Sequence, residues 1–132
     1  MKRIYTFGHE QVERNITVGD IIENKNNNLK MTQVTAANQE EAEIIASQEI
    51  DMIITGSDWY QDVRKGAPNT FITAALFAGR FITHEEILRG AFDVMMAGAD
   101  SVLTPRSFDV VEMLAKEGMQ VQGHVGMVPS MA

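Results

Sequence analysis

From Leu29 onward, short runs of β-branched and apolar residues alternate with longer stretches whose apolar positions recur at helical spacing. Strand candidates occupy residues 30–35, 52–55, 70–76, 101–104 and 120–124. They are short and mostly apolar, as strands buried on both faces must be. Between Thr83 and Ala97 the apolar residues Ile87, Leu88, Ala91, Phe92, Met95 and Met96 mark one helix face, and the Met pair is assigned to the core. Thr83 with Glu86 makes a capping box, and Gly98 stands where a left-handed cap is wanted. Asn38 with Glu41 caps a second helix running to about Glu49. Ser107 caps a third with the face Val110, Val111, Leu114 and Ala115, ended by Gly118.

This alternation is the signature of βαβ units. A faint repeat supports it: residues 49–55 align with residues 98–104, each a helix end, a tight turn and a buried strand. Only residues 56–69 separate the second and third strands, so the crossover helix there must be short. Residues 1–28 are weakly patterned and read as a leader with a short helix at residues 18–25; residues 29–132 form the α/β body. Neither a G-x-G-x-x-G nor a G-x-x-x-x-G-K-[ST] element follows any strand, which turns the reading from an open doubly wound sheet to a parallel (β/α) TIM-type barrel. A closed barrel needs eight strands. About five are counted here, so the expectation is a barrel present in part: a fragment, a truncated product or an obligate assembly.

Composition narrows the function classes. With 18 acidic and 11 basic residues the formal charge is -7, and no cationic run exists that would track phosphates, so nucleic acid is not an expected partner. The absence of cysteine removes disulfides and thiolate metal sites. No apolar stretch has signal-peptide or membrane-spanning length, so a cytoplasmic protein without a membrane partner is expected.

In a barrel of this kind, reactive groups lie just after the strands. There the chain offers Gly56-Ser57-Asp58, Pro105-Arg106-Ser107 and Gly123-His124-Val125-Gly126. Asp58 can serve a metal or a substrate proton; its structural reading is that Ser57 or Asp58 caps the helix that follows. His124 can hydrogen-bond or protonate a substrate oxygen, or simply shape a glycine-rich turn. Arg106 can hold a carboxylate in two hydrogen bonds, or stand solvated beside a helix start. His84, in the first turn of a helix, and His9, in the leader, are assigned to structure.

The stretches Val63-Arg64-Lys65-Gly66-Ala67-Pro68-Asn69 and Gly123-His124-Val125-Gly126-Met127-Val128-Pro129-Ser130 resemble two elements of the ketopantoate hydroxymethyltransferase family, in the phosphoenolpyruvate mutase and isocitrate lyase superfamily. Val34-Thr35-Ala36, the Gly56-Ser57-Asp58 turn and Ala97-Gly98-Ala99-Asp100 add to the likeness, which covers about residues 18–130 and the N-terminal half of such a barrel. The resemblance implies Mg²⁺, an α-keto acid substrate converted to its enolate, methylenetetrahydrofolate as one-carbon co-substrate, and a place in pantothenate biosynthesis. It implies a catalytic role for His124; Asp58, next to the family's metal-binding position, is the candidate for a second catalytic role and for metal ligand, and Gly56, Ser57 and Arg106 are the candidates for substrate contacts. The pattern departs at several places. Ser57 stands at the metal-binding aspartate's position with Asp58 after it, Ala75 matches a second aspartate, and Leu103 and Pro105 match a lysine and a glutamate. The family's catalytic glutamate would fall beyond Ala132. Partners implied are a small α-keto acid and either a homo-oligomer or a missing C-terminal half. The alternative is a non-catalytic homologue that keeps the scaffold as a binding or assembly module.

Overall fold

The computed structural model describes residues 1–128, so Pro129 and Ser130 of the second motif lie outside the described residues. The N-terminal segment opens with a hairpin that the weak patterning did not mark. Strands β1 (Lys2–Tyr5) and β2 (Gln11–Arg14) pair antiparallel, with His9 at φ 66° in the connecting turn. Helix α1 (Val18–Asn26) follows, one residue longer than expected. Thr17 caps it in a reciprocal box with Asp20, whose carboxylate also meets the ammonium group of Lys2 and so joins helix to hairpin.

The body alternates strand and helix throughout: β3 (Gln33–Thr35), α2 (Gln39–Ala46), β4 (Met52–Gly56), α3 (Tyr60–Gly66), β5 (Phe71–Ala75), α4 (His84–Met96), β6 (Ser101–Thr104), α5 (Phe108–Lys116) and β7 (Val121–Gly123). The five body strands form one parallel sheet in the order β3-β4-β5-β6-β7, so chain order is spatial order. The expected strands are all present: β6 has the expected bounds, β4 runs one residue further to Gly56, and β3, β5 and β7 are shorter than expected, β3 most of all at residues 30–32. The crossover helix α3 has seven residues, as the short connection required.

Ile53, Ile72 and Val102 share the face turned to the helices and are fully buried with Ile87, Ala91 and Leu114. Val121 is only partly buried, because β7 is an edge strand with a neighbour on one side. Two helix faces need correction. On α4 the buried stripe is Ile87, Ala91, Val94 and Met95, while Phe92 and Met96 are 41% and 47% exposed. Met96 is therefore not core: its side of the helix faces the hairpin, where Phe92 meets Phe7 edge to face at 5.6 Å and Met96 lies against Gly8. On α5 the stripe narrows to Val110 and Leu114, with Ala115 exposed. Ser107 occupies the cap position of α5 without a side-chain hydrogen bond, and α2 ends at Ala46 rather than near Glu49.

The repeated segment has a physical meaning. Asp51, just before β4, accepts the backbone N–H of Thr32 at 2.8 Å; Asp100, just before β6, accepts that of Ile72 at 2.9 Å. In the register each carboxylate stands beside the residue it grips, one step before the ladder pairs Gln33↔Met52 and Thr73↔Ser101. Each aspartate therefore pins the start of its own strand to the strand before it.

The other face of the sheet is concave. A hollow of about 390 Å³ lies there, lined by Gln33, Met52, Phe71, Thr73, Ser101 and Gln122, with Val18 and Ile21 of α1 across its floor. Gln33 on β3 and Gln122 on β7 exchange amide hydrogen bonds at 3.3 and 3.2 Å across this hollow, so the two sheet edges curl toward each other.

Candidate functional site

Because the sheet is parallel, the residues just after β4, β5, β6 and β7 lie at its C-terminal end, and all five candidate residues stand there. Gly56 ends β4 under an aromatic lid. A Cβ at Gly56 would lie 2.6 Å from the Phe77 ring, and Phe77 meets Trp59 edge to face at 5.7 Å. Glycine is needed here for close approach, not for an unusual dihedral.

Ser57 donates its backbone N–H to Ala75 O at 2.9 Å, while its hydroxyl is buried without a hydrogen-bond partner. Neither Ser57 nor Asp58 caps the helix that follows. Trp59 holds the cap position of α3 with no side-chain bond, a correction to the structural reading of this turn. Asp58 instead pairs with Arg80 at 2.6 Å, and the two side chains are 39% and 61% exposed. Ser57, Asp58, Gln61, Arg80, Phe81 and Asp93 line a groove of about 220 Å³ between α3 and α4.

Arg106 is not simply solvated. Its Nη2 donates to Ala78 O at 2.6 Å and Phe81 O at 2.9 Å, tying down the loop after β5, while its buried Nε–H has no partner. His124 lies exposed just past β7. Between Asp58 after β4 and His124 after β7 stand two strands, so the structure brings both to one end without bringing them into contact. Three strand spacings put them roughly 14 Å apart along the sheet surface.

The interior positions at this end are mostly apolar, Gln122 on β7 being the polar member of the row. Gly56, Ala75 and Leu103 share one register row of the concave face. Among the described residues no group of three His, Asp or Glu side chains can hold a metal ion. Mg²⁺ needs several hard oxygen donors in octahedral array. One carboxylate already engaged by Arg80, beside Ala75, Leu103 and Pro105, does not make that donor set.

Sequence reasoning missed the strongest polar cluster, at the opposite end of the sheet. Asp100 accepts from Arg14 Nε at 2.7 Å, Arg64 Nη2 at 2.8 Å and the Ile72 N–H at 2.9 Å. The Arg14 and Asp100 side chains are only 3% and 4% exposed. Arg64, from the first motif, also donates to Ala67 O, Thr70 O and the Tyr60 hydroxyl. Burial raises the Tyr60 phenol above its ordinary value of 10.0, opposed by the Arg64 charge. The Arg64-Lys65-Gly66-Ala67-Pro68 motif is thus a clamp at the N-terminal end of the sheet, where barrels place stability rather than chemistry. Its signal was legible only in hindsight: Asp100 closes the Ala97-Gly98-Ala99-Asp100 element, but Arg14 sits in an unremarked hairpin.

No helix among the described residues is long and apolar enough to cross a membrane. The chain matches no protein-family model. It is similar to three curated enzymes named 3-methyl-2-oxobutanoate hydroxymethyltransferase. The one from Deinococcus radiodurans is 41% identical over 76 residues, covering 53% of this chain and 27% of the relative. That from Ignicoccus hospitalis is 25% identical over 141 aligned positions, covering 88% and 54%. That from Geobacillus sp. is 28% identical over 139, covering 86% and 50%. The chain thus spans between about a quarter and about half of the length of these relatives. At 25–41% identity and partial coverage, these likenesses support kinship with the 3-methyl-2-oxobutanoate hydroxymethyltransferase family.

Proposed function

We propose that this chain forms part of a ketopantoate-hydroxymethyltransferase-like enzyme that acts on a short α-keto acid through its enolate, with methylenetetrahydrofolate as the one-carbon co-substrate. The observation that supports the reading is the parallel βα sheet, at whose C-terminal end Asp58 follows β4, Arg106 follows β6 and His124 follows β7. Enolate formation needs a base at the carbon beside the keto group and a donor toward the developing oxyanion. Asp58, once released from Arg80, is the base and His124 is the donor; Arg106, whose Nε–H is buried without a partner, would meet the substrate carboxylate only once the loop it ties down moves aside. Mg²⁺ does not fit the donor set of the described residues, so no step is routed through it.

The direct test follows loss of the C3 proton of 3-methyl-2-oxobutanoate in D₂O by NMR, with and without added Mg²⁺. Exchange above the buffer rate is expected, falling roughly 10²-fold or more in Asp58→Ala and His124→Ala. A folded protein that leaves the rate at the buffer level would refute the proposal. The non-catalytic alternative draws on one observation, the apolar row Gly56, Ala75 and Leu103 at the interior mouth. Tight Mg²⁺ binding in isothermal titration, lost in Asp58→Ala, would show instead that a metal site survives.

A further inference from the structure

One loop engages three of the residues at the C-terminal mouth of the sheet. Between β5 and α4, Phe77 lays its ring on Gly56, and Arg80 pairs with Asp58 at 2.6 Å. The carbonyl oxygens of Ala78 and Phe81 take the Nη2 hydrogens of Arg106 at 2.6 and 2.9 Å. Trp59, edge to face with Phe77, completes the cover. The loop thus holds the groups that a substrate at this mouth would need.

Its ends are fixed and its middle is not. Leu76 donates its N–H to Leu103 O at 2.9 Å, and the Phe81 ring fills the space that a Cβ at Gly90 would take. Among the described residues, Phe77–Arg80 hydrogen-bond across the mouth only to Asp58 and Arg106. A Cβ at Gly79 would meet nothing within 4 Å, so this stretch has open space around its tip. The N–H groups of Arg80 and Phe81 both donate to Phe77 O at 3.1 Å, so Phe77, Ala78 and Arg80 belong to one turn and move together.

Arg106 supplies the trigger. Along one edge of its guanidinium, Nε–H is buried without a partner while the neighbouring Nη2 is spent on neutral carbonyls. A carboxylate fits such an edge with two parallel hydrogen bonds, each roughly twice as strong as a bond to a neutral acceptor. Exchanging the Ala78 carbonyl for a carboxylate therefore also gives the orphaned Nε–H its partner, and removes a desolvation cost that the closed loop leaves standing.

We propose that Phe77–Arg80 is a lid that closes the mouth in the free protein and is opened by a carboxylate ligand, which takes the Nε–Nη2 edge of Arg106 from Ala78 and so frees Asp58 and Gly56. The inference rests on the proposed placement of the substrate carboxylate at Arg106. A ligand shifts such an equilibrium only by binding one state better than the other, and the orphaned Nε–H is that difference.

Trp59, the only tryptophan in the sequence, is the reporter. Its emission maximum is followed while the whole chain is titrated, at constant ionic strength, with 3-methyl-2-oxobutanoate, with acetate and with the neutral ketone 3-methyl-2-butanone. A saturable red shift is expected with both carboxylates and none with the ketone, because Trp59 loses its aromatic cover when the lid leaves. Phe77→Ala should show the shift without any ligand. Arg80→Gln removes one latch and should tighten apparent carboxylate binding roughly two- to fivefold, the range an exposed ion pair allows. Arg106→Lys keeps the charge without the fork and should weaken binding roughly tenfold or more. Should Arg106→Lys fail to fold, the variants at the exposed Phe77 and Arg80 keep the test decisive. An emission maximum unmoved by either carboxylate, an equal response to the ketone, or binding unchanged by Arg80→Gln would overturn the proposal. Fluorescence needs no turnover. A lid that opens while the keto acid exchanges no proton would sink only the proposed activity, and proton exchange with Trp59 unmoved would sink only the lid.

Discussion

Asp100 balances two guanidinium groups in a dry setting, and a buried charge deprived of its partner is costly. Asp100→Asn keeps the shape but removes the charge, and is expected to destabilise the fold by about 3–5 kcal/mol in urea denaturation. A loss below about 1 kcal/mol would mean that the surrounding carbonyls alone satisfy Arg14 and Arg64. The exposed Asp58–Arg80 pair is the contrast: Asp58→Ala should cost no more than about 1 kcal/mol in the same assay. Tyr60 gives a pH signature. Its folded-state proton is held more tightly than in the unfolded chain, so its contribution is complete below pH 10.0 and is lost as pH rises through the raised value. Thermal melts between pH 9 and 11 should therefore show a decline that is shallower in Tyr60→Phe; equal slopes would remove Tyr60 as its source.

Helix caps and strand runs were readable because their causes are local. The Thr83–Glu86 box depends on residues three apart, and so does the Asn38 side chain accepting the Glu41 N–H. What was not readable depends on residues distant in sequence. The outer side of α4 turns to Phe7 and Gly8 of a hairpin some 80 residues earlier, so periodicity alone assigned Met96 to the core. The structural alternative at Ser57-Asp58, a helix cap, missed the partner of Asp58 because that cation, Arg80, lies 22 residues away. Tight helix contact is equally nonlocal: a Cβ at Gly66 would run into the carbonyl of Gln39 and the methyl of Ala42, so α2 and α3 touch through the absence of a side chain. Gly66→Ala should cost about 1–3 kcal/mol despite its better helix propensity. An unchanged urea midpoint would show that the two helices can part freely.

At the scale of the molecule, the five parallel strands have two edges, β3 and β7, that no strand among the described residues pairs. The chain on its own is expected to associate with concentration, without settling on one stoichiometry, and sedimentation velocity showing a lone monomer at high concentration would contradict this. Parallel pairing across βα units, the burial of Ile53, Ile72 and Val102, and the short α3 crossover were visible in the pattern, since each follows from period and connection length, whereas Val121, expected to be buried with them, is only partly so on its edge strand. The direction in which the concave face looks, and the Gln33–Gln122 bridge across it, emerge only once the sheet has curled. The two aspartate pins carry a consequence for synthesis. Asp51 fastens to Thr32 and Asp100 to Ile72, each reaching back to the strand made immediately before its own. No strand waits for a later one to find its alignment, so the sheet can grow in the order in which the ribosome delivers it, one unit at a time, with the growing edge always the newest.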